Sequence, residues 1–184
     1  MNPSNPLESV YFINLPENFS LSQHALAIDP SIPLPVQKKD GDAPGTFNME
    51  ELTQEQILAG ILTILAYDSS NEHADYYRSI LKSARPEIKK EMTEAGILKA
   101  KNEDFELAEE IFRALRGFDP EDMGTVLNMA LLCDQRADSY RSSGLIEDAD
   151  AYDSDALSYY KDAMNADPEI PDAFFNAGFF YLKQ

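Results

Sequence analysis

Residues 89–120 read KKEMTEAGILKAKNEDFELAEEIFRALRGFDP. Met92, Ala95 and Gly96 form one apolar stripe, and Phe105, Ala108, Phe112 and Leu115 form a second. Both run at spacings of three and four, the signature of one helix face. Asn102-Glu103-Asp104 between them predicts a turn, and Pro120 an end, because proline cannot continue a helix. The stretch therefore predicts a pair of helices. A small residue in each, Gly96 and Ala108, lets the two backbones approach, while Phe112 and Leu115 fill the space alongside.

The pattern recurs. Pro86 and Pro120 lie 34 residues apart, the length of one helix–turn–helix repeat. A unit of that size cannot bury its own apolar face, so such units stack. Upstream, Leu58, Ile61, Leu62 and Leu65 mark a first helix, and Ala74, Leu81 and Pro86 a second, with Asp68-Ser69-Ser70-Asn71 as the turn. Downstream, Asp119-Pro120 is matched by Asp167-Pro168 after a helix carrying Tyr152, Ala156, Tyr160 and Ala163. A further first helix then carries Phe174, Ala177, Gly178 and Tyr181. The interval from Pro120 to Pro168 is 48 residues, an excess of 14, and about seven extra residues per helix is close to two turns. Residues 123–166 accordingly predict one elongated hairpin closing at Gly144, with Tyr140, Leu145, Ile146 and Tyr152 offering a separate apolar surface near its tip.

The 34-residue period and the Gly96/Ala108/Phe112/Pro120 pattern resemble the tetratricopeptide (TPR) repeat. The resemblance implies an all-α, right-handed superhelix of antiparallel helix pairs over residues 51–184, with repeats at about 55–88, 89–122 and 123–170 and a final helix at 171–184. The first repeat departs from the family pattern at Leu62, where a small residue is usual, and at Arg78, where an aromatic is usual. A final helix without a partner would leave Phe174, Phe175, Phe179, Phe180 and Tyr181 incompletely covered. It would then belong to a piece of a longer array, cap the stack, or pair with another copy to give a homo-oligomer.

In such a stack the inner wall is made of first-helix side chains. The matched register places there Ala59, Thr63, Thr93, Glu94, Ile97, Lys101, Leu127, Asn128, Leu131, Gln135, Phe175, Asn176 and Phe179. Asn128 and Asn176 each lie eight residues after their repeat's proline. The resemblance implies that asparagine there can hold a peptide backbone with paired donor and acceptor; the plainer reading is a helix-surface amide. Thr93 and Leu127 stand where a carboxylate-clamping TPR protein would want lysine, which disfavours a chaperone-tail receptor.

The first fifty residues differ in kind. They hold seven of the eleven prolines, which forbids a long helix and predicts an irregular segment, residues 1–50. Val10-Tyr11-Phe12-Ile13 is β-prone, and Ile28, Ile32, Leu34 and Val36 alternate with prolines in a stretch that favours extended backbone. The segment reads either as a loose tail or as a strap laid on the helices, with Ile28 to Val36 a candidate occupant of the groove.

Fifteen basic against thirty-three acidic residues give a net charge of −18, which repels phosphate backbones and anionic lipid. No nucleic acid is expected, and a neutral to basic protein or peptide partner is favoured. No apolar run approaches the ~20 residues needed to cross a bilayer, and the N-terminus lacks the basic and apolar parts of a secretory signal, so a cytoplasmic protein without membrane insertion is expected. The acidic run from Glu147 to Asp155 lacks the glycine and terminal glutamate of a calcium loop and reads as a solvated helix face. Two histidines, His24 and His73, and one cysteine, Cys133, form no metal or catalytic motif. The expectation is a non-enzymatic scaffold or adaptor without cofactor. The alternative is an acidic cytoplasmic TPR chaperone for translocator-type secreted proteins, similar in size, charge and repeat number.

Overall fold

A computed structural model describes residues 5–16, 28–39 and 48–183. The chain divides into two compact units, residues 1–89 and 90–184. Among the described residues there are seven α-helices and one two-stranded sheet. None of these helices is long and apolar enough to cross a membrane.

In the first unit a short 3-10 turn, Pro6–Ser9, leads into β1 (Val10–Ile13), which pairs antiparallel with β2 (Leu34–Gln37). The segment expected to be irregular thus contains a hairpin, formed by the β-prone run and the extended stretch that the sequence singles out. Pro35 stands opposite Phe12 in this pairing. The two-stranded sheet survives because β2 is buried on α1 (Gln54–Tyr67): Leu34 and Val36 are completely covered, alongside Ile57, Ile61 and Leu65. A bare hairpin is at best marginally stable in water, so this burial is what holds it. Gly60 makes the approach possible, since a Cβ there would lie 2.5 Å from the Pro35 carbonyl oxygen. Thr53 and Gln56 start α1 with a capping box. On α2 (Ala74–Ala84), the buried Tyr77 donates its hydroxyl hydrogen to the Pro33 carbonyl at 2.6 Å. Burial pushes this phenol up to about 12.

Among the described residues of the second unit the regular elements are all α-helices. α3 (Ile88–Lys101), which starts at the unit boundary, and α4 (Phe105–Phe118) flank the predicted turn, where Glu103 takes the left-handed conformation with φ 59°. α5 (Met123–Ser142) and α6 (Ile146–Met164) have 20 and 19 residues against 14 in each of α3 and α4, so the extra length does fall on both arms of one hairpin. Gly144 closes it at φ 80°. α7 (Pro171–Lys183) opens on a proline, which suits the first turn of a helix because its missing N–H is not needed there.

Two cores organise the unit. Ala100, Phe105, Ala108, Phe112, Leu115 and Leu132 form one. In the other, α5 supplies Val126, Leu127 and Ala130, α6 supplies Ala156, Tyr160 and Ala163, and α7 supplies Ala173, Ala177 and Phe180. The small residues at these crossings have the role the sequence assigns to them: Ala108 is fully buried, and a Cβ on Gly96 would stand 2.8 Å from the Phe112 ring.

Candidate functional site

In the first unit the face of α1 that carries Ala59 and Thr63 is already occupied. The Thr63 hydroxyl reaches the Gln37 side-chain oxygen at 3.0 Å and its own helix at the Ala59 carbonyl, 3.1 Å. Gln56 donates to the Gln37 carbonyl at 3.3 Å. The extended stretch therefore rests on α1. Its polar partners are β1, Gln56, Thr63 and, through Pro33, Tyr77.

In the second unit, α3, α5 and α7 present the remaining nominated residues. On α3, Glu94 and Lys101 are exposed, Ile97 is 37% exposed and Thr93 is half-buried. On α5, Asn128 and Leu131 are half-buried and Gln135 is exposed, but Leu127 retains only 8% exposure. Leu127 shares a core with residues of α6 and α7, so it holds the helices together instead of lining an open wall. On α7, Phe175 and Phe179 are 65% and 55% exposed and meet edge to face at 4.8 Å. Asn176 is half-buried and donates to the Asp172 carbonyl at 2.8 Å, so part of its hydrogen-bonding capacity is spent within its own helix.

Lys101 and Gln135, 34 residues apart, line one open cleft of about 600 Å³. Its other walls are Ala100, Glu103, Phe105, Asp138, Ser139, Ser142 and Ser143. The cleft forms where the added length of α5 runs past the α3–α4 turn. The lining is mostly hydroxyls and charged groups over a floor of Ala100 and Phe105, and it contains no nucleophile–base pair. Among the described residues no group of three or more His, Cys, Asp or Glu is placed to hold a metal ion.

The long hairpin departs from its expected surface chemistry. Tyr140 and Tyr152 are drawn into a cluster around Arg136, whose side chain is 8% exposed. The guanidinium donates to Glu106 at 2.8 Å, Glu109 at 3.1 Å and the Tyr140 hydroxyl, and stacks over the Tyr152 ring at 4.4 Å. A buried charge needs such partners, and here α4 supplies the carboxylates. Of the four residues expected to form the apolar surface near Gly144, Leu145 and Ile146 are exposed and Tyr140 and Tyr152 are half-buried. Within the acidic run, Asp153 is buried and ion-paired with Arg141, its Oδ1 without a partner among the described residues, while Glu147, Asp148, Asp150 and Asp155 remain exposed. Lys183 ties the end of α7 to α5 through Asp134 at 2.5 Å and Asp138 at 2.8 Å. Burial pushes the Cys133 thiol up to about 12, which keeps it protonated and a weak nucleophile near neutral pH. Apolar periodicity carries no signal for these ionic clusters. The signal in the sequence is Arg136 itself, a charged residue three positions after Cys133 and one before Ala137.

No family model, curated protein or solved structure matches the chain.

Proposed function

We propose that the chain is a non-enzymatic, TPR-type interaction module that binds a neutral to basic peptide segment of a partner protein along the exposed strip of α3, α5 and α7. One observation carries this reading. Ile97, Leu131 and Phe179 occupy equivalent places in three successive first helices, 34 and 48 residues apart, and Ile97 and Phe179 remain substantially exposed. An apolar row recurring at repeat-equivalent positions, flanked by Gln135 and Lys101, is a surface that gains by desolvation when covered. The net charge of −18 selects against anionic partners. In the first unit the equivalent face is taken by β2, which indicates the kind of occupant these helix faces accept: extended backbone.

The test is a display selection of random dodecapeptides on the purified chain, followed by affinity measurement on the enriched sequences. Ile97→Ser/Phe179→Ser is expected to weaken their binding at least tenfold while leaving the melting temperature nearly unchanged, since exposed side chains of this kind contribute little to stability. Enriched peptides that bind the double variant as well as the wild type would place the active surface elsewhere.

A further inference from the structure

The open cleft between the α3–α4 turn and α5 adjoins the exposed strip. Lys101 and Gln135 on its walls each lie four residues after a strip residue, Ile97 and Leu131, and therefore on the same helix faces one turn further on. One turn is about 5.4 Å along the helix axis. A peptide lying across Ile97 and Leu131 would reach the cleft with a long side chain and miss it with a short one. The floor suits the stem of such a side chain, since Ala100 and Phe105 are apolar and nearly covered.

The walls decide the charge of its head. Ser142 and Ser143 spend their hydroxyl hydrogens on the Asp138 and Ser139 carbonyls, at 2.8 and 3.1 Å, so toward the cleft their oxygens can only accept. Asp138 already takes the Lys183 ammonium at 2.8 Å, whereas the Glu103 carboxylate has no partner among the described residues. Glu103 is held at the cleft by its left-handed backbone, φ 59°, and by its N–H bond to the Ala100 carbonyl. Two helices also end here, α3 at Lys101 and α5 at Ser142, and the C-terminal end of a helix carries partial negative charge. Against these stands the Lys101 ammonium, the one cation of the lining. A cationic head gains from all the acceptors and opposes that single flexible lysine; an anionic head does the reverse. We infer that the cleft is a pocket for an arginine side chain of the bound peptide, with its stem over Ala100 and Phe105 and its guanidinium toward Glu103 and the Ser142 and Ser143 oxygens. A planar fork of five donors can meet a carboxylate and flanking oxygens at once, which a compact ammonium does less well. The inference rests on the reading of the strip as a peptide site and adds the residue that the peptide must carry.

The random dodecapeptide selection supplies the probe. Enriched sequences are expected to share an arginine at one fixed position relative to their apolar residues, and a selection on Glu103→Lys should keep the apolar pattern and lose the arginine. The best wild-type peptide is then synthesised with a fluorescent label and followed by anisotropy. Replacing its arginine with glutamine should weaken binding at least tenfold. Glu103→Gln should weaken the arginine peptide at least fivefold and change the glutamine peptide less than twofold. Lys101→Gln, which removes the opposing charge, should tighten the arginine peptide at least twofold. Both variants alter exposed side chains and should leave the melting temperature nearly unchanged. Ile97→Ser/Phe179→Ser should weaken both peptides alike, which separates the strip from the pocket. Enriched sequences without a fixed arginine, no difference between the two peptides in the effect of Glu103→Gln, or weaker binding by Lys101→Gln overturns the inference and leaves the strip reading standing. Free arginine that binds as tightly as the peptide also overturns it, because the cleft would then be a small-molecule site. No enrichment at all on the wild type overturns both.

Discussion

Tyr160→Ala is expected to lower the stability of the second unit by about 3–5 kcal/mol, the range for removing a large aromatic side chain from a core. Tyr160 is fully buried where α5, α6 and α7 meet, with its ring 5.4 Å from that of Phe180. Its loss would remove contacts to both neighbouring helices at once. Tyr160→Phe separates the ring from the hydroxyl. The hydroxyl lies 3.4 Å from Asp134, which also receives Lys183, so its removal should cost about 1 kcal/mol or less. Denaturant titration of the two variants checks this ordering. Equal losses would mean that the polar link, and not ring packing, secures α7.

Gly60→Val is expected to destabilise the first unit by about 3 kcal/mol, at the upper end of ordinary overpacking. The obstacle is backbone, because the new Cβ would lie 2.5 Å from Pro35 O, 2.6 Å from Pro35 C and 2.8 Å from Val36 N. No rotamer change relieves that clash, so β2 must move off α1. Thr63 and Tyr77 would then lose their bonds to Gln37 and Pro33. Thermal melting with amide hydrogen exchange on Leu34, Val36 and Gln37 reports both effects. Wild-type protection in the variant would show that the close approach at Gly60 does not hold the hairpin.

The helices were legible because periodicity records burial directly. Gly96, Ala108, Phe112 and Pro120 mark one pair, and the excess between Pro120 and Pro168 correctly predicted the long α5–α6 hairpin. The strand partner of α1 was only half legible. Val10–Ile13 and the stretch ending at Val36 were recognised as extended, but their antiparallel register depends on a long-range pairing that local pattern does not encode. Gly60 also went unremarked as a packing point, because the repeat register directs attention to Leu62, two residues on; the element that comes close there is a strand. Leu127 shows the limit of counting faces, since its exposure is decided by the tertiary placement of α7. Tyr140 and Tyr152 count as apolar surface by periodicity, which does not show which charged side chain will seek them, and Arg136 does.

The packing of the second unit, with the face of α3 at Gly96 covered and that of α7 at Gly178 open, is tested most directly by the stabilities of Gly96→Ala and Gly178→Ala measured side by side. Both substitutions gain the helix propensity of alanine over glycine, about 0.5–1 kcal/mol. At Gly178 nothing opposes that gain, so the variant should be more stable than the wild type. At Gly96 the methyl would meet the Phe112 ring at 2.8 Å and Ile111 at 3.2 Å, and overpacking there, about 1–3 kcal/mol, should make the net change a loss. Opposite signs are the expected result. A shift of the same sign at both positions would contradict that packing.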